Sequence, residues 1–438
     1  MSLQGTFNTA VQAMNTQSHQ LSNISTNIAN TNTTAYKAQD THFETLLNHI
    51  QPTDKGFFTV RSFDYRQVDK QGTIATTGRT FDLALNGRGF LVTNANQGAT
   101  GDWRFTRDGA LFGKTVNVSG TDLDGDGTDD QQDTYLTTAD GSYVYGWAAD
   151  ADGNFSEANS LSSLTPVVYS SASVTAGASP TLLFPAGIPS KATTTIQLQA
   201  NLSASAGGRQ SVGLPLVDQD GNSRTLTVGF TGDLSANAWT MDMASLDTNN
   251  QPVAVSFDPP NLDFDGTGHI ISPTDGQIFV EISDANGPQS FTLDLTKLTQ
   301  LADQGKLTVQ NIIQDGYIAG RLQNTYFNGN GVLIGSYSNH EVRNLYKLPI
   351  ATFAADNNLE ARNGNVFLPT VEAGEMQLSG LGTPTGTTQI IVGALEASNV
   401  DLADQFSKMI ITQRAYSSAA KVLTTADEMT QAVRDLKR

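Results

Sequence analysis

The sequence predicts a mainly β protein whose two ends form a pair of α-helices, and three observations carry that prediction. Apolar residues recur at heptad spacing near both ends. Between the ends, apolar and polar residues alternate in short runs that Gly, Pro, Asn and Asp separate. The chain has 438 residues, too many for one ordinary core, so we expect a nested multidomain protein with two sandwich-like or barrel-like β-domains beside a terminal coiled coil.

The first segment, residues 1–28, is predicted to be a helix with an apolar seam. Its large apolar residues recur at intervals of seven: Phe7, Met14, Leu21 and Ile28. Residues 1–36 contain no Asp, Glu, Lys or Arg, so the helix lacks the charged pairs that stabilise isolated helices. We therefore expect neighbouring copies of the chain to bury this helix on several sides.

The last segment, residues 400–438, is predicted to be the partner helix. Its apolar residues also follow a heptad pattern: Leu402, Phe406, Met409, Tyr416 and Leu423. Ser398 and Asp401 resemble a capping box at its start. The simplest alternative is that the two terminal helices pair only with each other and close a single globule. The uncharged outer face of the first helix favours the wider packing.

The middle of the chain predicts half-buried strands of antiparallel sandwiches or barrels. Apolar and polar residues alternate most regularly in four runs: 196–202, 226–230, 278–282 and 291–295. Turn sequences such as Asp220-Gly221-Asn222 separate the runs. A stretch rich in Ser, Ala, Gly and Pro at 170–192 indicates a boundary, so we expect an insert at about 180–318 that splits another β-domain into two pieces.

Composition and charge exclude several classes of function. The chain has no Cys, which excludes disulfides, thiolate metal sites and a Cys nucleophile. Its formal net charge of −18 lies entirely in residues 37–395 and argues against nucleic acid as a partner. No window reaches the ~18 apolar residues of a membrane span, and the N-terminus lacks the pattern of a cleaved signal peptide. We therefore expect no membrane partner.

No residue pattern predicts a catalytic site. The five His are scattered and show no helical i, i+4 spacing. Residues 109–115 resemble a phosphate-binding loop but place three residues between the glycines, where such a loop needs four. Carboxylates are numerous, yet no stretch singles out an acid–base pair. We therefore predict that the protein is not an enzyme and requires no cofactor.

One acidic loop has the spacing of a Ca²⁺ site. Oxygen-bearing residues occupy the ligand positions of a 12-residue loop: Asp122, Asp124, Asp126, Thr128, Asp130 and Asp133. Gly127 stands at the sixth position, where the turn needs glycine, and Asp133 replaces the longer Glu that usually closes the loop. The alternative is a solvated acidic hairpin tip. We expect structural Ca²⁺ binding in the sub-millimolar to millimolar range.

Five segments resemble signatures of a known family. Residues 27–37 are similar to the N-terminal signature of flagellar rod, hook and hook-associated proteins, in which Gly often takes the place of Ala35. Residues 81–91 and 105–109 resemble the β-domain motifs of that family. Its C-terminal signature resembles Gly-Ala-Leu-Glu-Ala-Ser-Asn-Val-Asp-Leu at 393–402, with Gln-Arg-Ala-Tyr following at 413–416.

Further segments favour the hook branch of this family over the shorter rod branch. Residues 314–322 resemble the return from the outer domain of hook subunits, and residues 335–339 resemble the motif that follows it. Residues 217–221 together with Trp239 resemble an outer-domain strand pair. Rod subunits generally lack such an insert. The nearest alternative is a distal-rod or hook-associated subunit.

The resemblance implies a structural subunit that polymerises into a flexible hollow tube, which joins rod to filament and transmits torque as a universal joint. The nine heptad residues named above would form an inner coiled coil around the channel. The implied domains are 1–28 with 400–438 as the coiled coil, 29–76 as an extended connector, 77–178 with 320–392 as a middle β-domain, and 180–318 as an outer β-domain.

The resemblance also implies partners and a location. The partners would be further copies of the chain, the hook cap, the distal rod, the hook–filament junction proteins and the flagellar export apparatus. The chain would leave the cell unfolded through the flagellar secretion channel and act in the extracellular hook. A secreted enzyme such as a glycoside hydrolase and a Ca²⁺-dependent secreted adhesin stay as alternatives, but neither explains the two helical seams.

Overall fold

The computed structural model is mostly β, with one long helix at each end. It describes residues 3–48, 57–117, 131–150, 153–173, 181–182, 187–204, 208–233, 237–246, 251–284, 287–302, 305–381 and 388–436. Helix α1 spans Leu3–Ala29 and helix α2 spans Leu402–Leu436. Strands with helices at both chain ends confirm the predicted fold class. Neither described helix is apolar enough over a sufficient length to cross a membrane.

The strands are short and follow one another closely along the chain. Those up to residue 173 are β1 (Gln39–Asn48), β2 (Phe57–Arg66), β3 (Ile74–Thr76), β4 (Leu83–Asn86), β5 (Phe90–Asn94), β6 (Trp103–Thr106), β7 (Phe112–Asn117), β8 (Gln131–Thr137), β9 (Tyr143–Ala148), β10 (Thr165–Pro166) and β11 (Val168–Ser173). Those between 181 and 314 are β12 (Thr181–Leu182), β13 (Gly187–Ile188), β14 (Thr195–Ser203), β15 (Gly208–Val217), β16 (Ser223–Asp233), β17 (Ala238–Leu246), β18 (Pro252–Asp258), β19 (Asn261–Phe264), β20 (Ile270–Ser272), β21 (Gln277–Asp284), β22 (Gly287–Asp294), β23 (Leu298–Leu301) and β24 (Thr308–Gln314). The remaining ones are β25 (Gly320–Phe327), β26 (Val332–Tyr337), β27 (Val342–Lys347), β28 (Pro349–Thr352), β29 (Glu360–Arg362), β30 (Val366–Leu368), β31 (Gln377–Gly380), β32 (Gln389–Val392) and β33 (Ala394–Glu396).

The chain divides into two compact units. The first comprises Met1–Thr181, Thr325–Gly335 and Arg343–Arg438, and the second comprises Leu182–Asn324 and Ser336–Val342. The finer division proposed from the sequence, with its separate connector and middle domain, stays a prediction.

The core of the first unit is built around β5, the strand that begins at the end of the first β-domain motif. All five residues of β5 are buried, and the strand pairs antiparallel with β6, β9 and β28. Large aromatic side chains fill the space around it, including Phe90, Phe105, Tyr145 and Trp147. Burial of such large apolar side chains is the dominant stabilising contribution in a β-domain of this kind.

The second unit is a sheet whose alternating strands bury one face. In β21, Ile278, Val280 and Ile282 are buried, whereas Phe279 faces outward, as the alternation predicted. The arrangement is not purely antiparallel, because β14 pairs in parallel with both β22 and β23. The periodicity of a strand specifies which face is buried but not the direction of its neighbours, so the antiparallel expectation was wrong at this strand.

Asp315 fastens the exit of the second unit to its entry. Its carboxylate accepts hydrogen bonds from the backbone N–H groups of Thr194 (2.8 Å) and Thr195 (2.9 Å) and from the Thr194 hydroxyl (2.6 Å). The Lys191 ammonium lies 3.1 Å away. Partial burial would raise the pKa of Asp315, but these hydrogen bonds, from the threonines first and then Lys191, lower it well below its usual range.

We expect Asp315→Asn to lower the free energy of unfolding of the second unit by about 2 kcal/mol at pH 7, because charge-assisted hydrogen bonds are lost. A carboxyl group whose pKa is lowered by folding stabilises the folded protein at pH values above its unfolded pKa, which is near 3.8. This stabilisation is lost as the pH falls below that value. Urea unfolding should therefore show a difference between the two proteins that is full at pH 7 and shrinks below pH ~4. A difference that stays constant with pH would contradict the carboxylate's role.

Candidate assembly surface

The two terminal helices pair with each other in antiparallel fashion. Near the end of α1, the Asn27 side-chain amide donates a hydrogen bond to Gln405 Oε1 (3.1 Å) at the start of α2. Thr6, near the start of α1, lines a cleft with Val422 and Met429 of α2. Helix α2 has 35 residues and α1 has 27, so the end of α2 continues past the described start of α1.

Apart from Ile24, the residues buried on these helices are small or polar. They are Ala10, Thr16, Asn23, Ile24 and Asn27 on α1, and Gln405, Thr412 and Ala426 on α2. Four of the predicted seam residues are instead exposed: Phe7, Leu402, Phe406 and Tyr416. Small side chains let two helices approach closely, and the four exposed residues keep much of their surface outside that contact. That the predicted seam residues form an inner coiled coil with other copies stays a prediction.

The remaining predicted assembly residues are partly exposed: Met14, Leu21, Ile28, Met409 and Leu423. Together with the four exposed residues, they leave both helices with apolar surface that the described part of the chain does not cover. Monomeric proteins rarely leave large contiguous apolar surfaces open to water. The helix pair thus has the surface of a protein that associates.

Exposed apolar side chains on α2 fall into two groups. The first, which we call the apolar stripe, consists of Leu402, Phe406 and Ile410, spaced four residues apart on one face. The second lies further along the helix: Ile411, Val422, Met429 and Val433. Phe406 is 51 % and Ile411 is 67 % exposed, although both are large and apolar. The groups lie on different faces, so one flat partner could not cover both.

Helix α2 begins one turn later than the capping-box pattern suggests. The Asp401 carboxylate accepts hydrogen bonds from the backbone N–H groups of Ala403 (2.9 Å) and Asp404 (3.3 Å). Asp401 is therefore the N-cap residue itself. The Ser398 hydroxyl accepts a bond from Val400 N–H (3.3 Å) and caps no helix. The sequence signal marked the correct segment but the wrong capping residue.

The sequence signatures meet at one buried cluster of charges around Glu396. The carboxylate of Glu396 is fully buried and lies 2.7 Å from the Lys37 ammonium and 2.7 Å from Arg107 Nε. The backbone N–H of Gly72 donates a third bond to it (2.9 Å). Burial would raise the pKa of Glu396, but the charges of Arg107 and Lys37 lower it, so the carboxylate is ionised.

The cations of this cluster are also held by backbone carbonyl groups. Arg107 donates to the carbonyl oxygens of Gly89 (2.9 Å) and Gly87 (2.8 Å), and Lys37 donates to that of Lys70 (2.7 Å). A buried charge is tolerated only when it is paired and fully hydrogen-bonded. The cluster thus joins the turn after α1, the β-domain motif and the segment before α2 within the first unit.

Two asparagines of the terminal signatures complete the junction. Asn399 accepts a bond from Ala38 N–H (2.7 Å) and donates to the carbonyls of Gln67 and Lys70 (3.0 Å each). Asn27 accepts from Gln39 N–H (2.9 Å) and, besides its bond to Gln405, donates to the Gln39 carbonyl (2.8 Å). An amide offers both donors and acceptors, so each asparagine can satisfy several backbone groups where chain segments cross.

Sequence reasoning did not predict the charge cluster, although it singled out the segments that build it. Lys37 is the single charged residue of its motif at 27–37, whereas Arg107 stands next to Asp108 and Glu396 shares its motif with Asp401. Lys37 alone therefore offered a signal, since a charge surrounded by apolar and small residues is rarely solvated on its own. Which charges would pair could not be seen, because the partners are far apart in the chain.

The predicted Ca²⁺ loop falls almost wholly outside the described residues. Asp122, Asp124, Asp126, Thr128 and Asp130 lie in the segment 118–130, so their geometry is not part of the structure. Asp133 lies in β8, where its carboxylate accepts a hydrogen bond from the Tyr135 hydroxyl (3.2 Å). Burial, followed by the nearby Asp133 charge, raises the pKa of Tyr135 to about 12. Within the described ranges, no group of three or more metal-binding side chains converges.

Two family models match parts of the chain that the structure distinguishes. The flagellar basal body rod protein C-terminal model matches residues 391–436, which contain Glu396, Asn399 and helix α2. The flagellar basal body protein D2 domain model matches residues 187–317, which lie in the second compact unit.

Several full-length relatives share the same name. The chain is 30 % identical to the flagellar hook protein FlgE of Brucella suis, with all of both chains covered. It is 29 % identical to the protein of that name from Rhizobium meliloti over the whole of both chains. For Escherichia coli the identity is 26 %, covering 98 % of this chain and 100 % of the relative.

Among solved structures, the Helicobacter pylori flagellar hook protein FlgE2 matches with a TM-score of 0.48 and 14 % identity, covering 74 % of this chain and 100 % of the other. The family assignment rests on the sequence matches, which extend over both terminal helices and both compact units. With 30 % identity across its full length, this chain belongs to the flagellar hook protein family.

Proposed function

We propose that this chain is the repeating structural subunit of the flagellar hook and polymerises with copies of itself into a flexible hollow tube. The observation that carries the proposal is the terminal helix pair. It leaves large apolar residues of α2 exposed, while α1 has no Asp, Glu, Lys or Arg to repel a neighbouring copy. Burying these faces against other copies removes apolar area from water and holds the polymer together.

The proposed mechanical role is that of a universal joint that transmits torque from rod to filament while bending. Strong contacts between helix pairs would keep the inner tube intact. The acidic middle of the chain would form the outer surface, where contacts must break and re-form at each rotation. Wet, polar contacts suit that role because they exchange with water at little net free energy.

Further partners follow from the family assignment. The subunit would pass through the flagellar export apparatus, assemble beneath a hook cap, and contact the distal rod at one end and the hook–filament junction proteins at the other. Its place of action would be the extracellular hook. A structural role in the flagellum leaves no chemistry for a catalytic site, so we propose that the protein is not an enzyme.

Immunogold electron microscopy of whole bacteria tests the assignment, with antibody raised against residues 187–317. Label confined to a short curved segment between envelope and filament is the expected result. Label that requires the envelope to be opened would instead indicate a rod subunit. Label spread over the cell surface or released into the medium would contradict an axial role and favour an adhesin or a secreted enzyme.

We also propose that the loop 122–133 binds Ca²⁺ structurally, although the protein requires no cofactor for assembly. Titration calorimetry should show one site with a dissociation constant between about 0.1 and 1 mM. Asp124→Ala should abolish the heat, because it removes the ligand at the third loop position. Asp140→Ala, which removes an acidic side chain outside the loop, should leave the heat unchanged. Absence of any heat in the wild-type chain would contradict the proposal.

A further inference from the structure

We propose that Asn363 is a site of spontaneous deamidation, at which the side-chain amide is lost and the products are Asp and isoaspartate. The residue precedes Gly364 in the turn between β29 and β30 of the first unit. Glycine has no Cβ to obstruct the attack of its backbone nitrogen on the preceding side chain, so an Asn-Gly pair favours this reaction. The inference concerns a modification site and does not depend on the proposed function.

The reaction needs only water. The backbone nitrogen of Gly364 forms a bond to Cγ of Asn363, the bond between Cγ and Nδ2 breaks, and ammonia leaves with the proton of the Gly364 N–H. Water then opens the cyclic imide at one of its carbonyl groups. Opening at Cγ gives Asp, whereas opening at the former backbone carbonyl gives isoaspartate. In isoaspartate the backbone runs through the side chain and is longer by one carbon atom.

The structure leaves this Asn-Gly pair free to react. Four such pairs lie wholly within the described residues: 86–87, 328–329, 330–331 and 363–364. Asn363 and Gly364 are both exposed, and neither the Asn363 side chain nor the Gly364 N–H is hydrogen-bonded to another described residue. Because the two groups must approach each other, their freedom is the first requirement of the reaction.

Hydrogen bonds restrain the other three pairs. The Gly87 N–H donates to a glutamine side-chain oxygen (3.1 Å), and the Gly331 N–H donates to the Asn328 carbonyl (3.0 Å). The Asn328 side chain is itself held, because its Oδ1 accepts bonds from the backbone N–H groups of Asn330 and Val332 (3.0 Å each). Such bonds must break before attack, so each slows the reaction by about tenfold, the factor that corresponds to one hydrogen bond.

Local packing explains why glycine follows Asn363. Gly364 has a φ of 88°, in the left-handed region that favours glycine. A Cβ at this position would also lie 2.6 Å from Cβ of Asp140, which is closer than two such atoms can approach. The tight turn therefore requires the same residue that leaves Asn363 open to attack.

The next residue connects this turn to the N-terminal signature. The Asn365 side-chain amide donates a hydrogen bond to the Thr34 carbonyl (2.7 Å), and the Asn365 carbonyl accepts one from the Thr106 hydroxyl (2.9 Å). Thr34 precedes Ala35, whose N–H donates to a carbonyl of the segment before α2 (2.8 Å). An extra backbone carbon in the turn would displace Asn365, so isoaspartate should loosen the chain just after α1.

Peptide mapping by mass spectrometry tests the site on the full chain after storage in mildly alkaline buffer, which favours loss of the amide proton. We expect deamidation at Asn363 to proceed at least about tenfold faster than at Asn86, Asn328 or Asn330. In urea, where the restraints are lost, the four pairs should react at similar rates. The matched control is Asn363→Gln, which keeps an exposed amide but does not form the five-membered imide. It should remove the modification from this turn.

Hydrogen exchange tests the consequence. Exchange at Ala35 should be about tenfold faster in the isoaspartate fraction than in fresh chain, because one hydrogen bond that holds the turn is lost. Asn363→Asp adds the charge without lengthening the backbone and should leave exchange at Ala35 unchanged.

Two results would overturn the site: equal rates at the four pairs in the folded chain, or an intact Asn363 while another of these pairs reacts. Unchanged exchange at Ala35 in the isoaspartate fraction would overturn the connection to the chain after α1. None of these measurements requires polymerisation, so their failure leaves the hook assignment to its own test.

Discussion

Replacing Glu396 by Gln should lower the free energy of unfolding of the first compact unit by about 3–5 kcal/mol. The substitution keeps the shape of the side chain but removes the anion that pairs with two buried cations, Lys37 and Arg107. Lys37 can relieve part of the loss by releasing its proton, since burial already lowers its pKa. Arg107 cannot, because a guanidinium stays protonated at any pH a protein survives. A buried, unpaired charge would remain.

The matched control is Lys37→Met, which removes a cation and leaves Arg107 and Glu396 as a neutral pair. We expect it to destabilise the unit by less than Glu396→Gln does, because it leaves no buried charge without a partner of opposite sign. The double variant should be more stable than the sum of the two single losses predicts, because neighbouring charges couple. Urea unfolding followed by tryptophan fluorescence measures all three, since Trp147 lies in this core.

Equal losses for Glu396→Gln and Lys37→Met would contradict the electrostatic argument, because they would show that only the number of hydrogen bonds matters. Full additivity in the double variant would contradict it as well. A tube assay on the same variants separates folding from assembly. None of the three residues lies on the exposed faces of the helices, so variants that fold should still polymerise.

The sequence was most informative where a pattern depends on near neighbours in the chain. Alternation predicted the strands of the second unit, and heptad spacing predicted both terminal helices, because each pattern reports which face of an element is buried. The same spacing could not distinguish burial within the chain from burial by another copy. Phe406 and Tyr416 fit the heptad as well as any core residue, yet they are exposed in the single chain.

Contacts between distant segments were beyond sequence reasoning. Lys37 and Glu396 are 359 positions apart, and nothing local marks them as partners. The direction of β14 relative to its neighbours depends on connections elsewhere in the sheet, so alternation could not predict it. Ala35 is an intermediate case. It adopts a φ of 55°, in the left-handed region that favours glycine, which fits a signature that often has Gly there.

Ending the chain after Asp401 should abolish polymerisation while leaving a folded, soluble monomer. This truncation removes all of α2, including the apolar stripe and most of the cleft, but keeps Glu396 and Asn399 in their junction. Sedimentation velocity should show monomers at concentrations where the full chain forms tubes.

A milder variant, Phe406→Ser with Ile410→Ser, should raise the critical concentration for polymerisation by about a hundredfold or more. The reason is that each large side chain no longer buried between copies costs ~1.5–3 kcal/mol of association free energy. Gln413→Ser, a polar change on the same helix, should leave it unchanged.

A shorter chain that ends after Gly393 separates the two roles of the C-terminal signature. It lacks β33 and Glu396 as well as α2, so Lys37 and Arg107 lose their anion and β3 loses its partner strand. We expect this chain to lose cooperative unfolding of the first unit, whereas the chain ending at Asp401 keeps it. If both truncations fold equally well, Glu396 does not complete the first unit. If the chain ending at Asp401 still forms tubes, the helix pair is not the surface that joins the copies. Folding and polymerisation would then depend on other parts of the molecule. The three chains differ only in the eight residues 394–401 and in the segment 402–438, which contains α2.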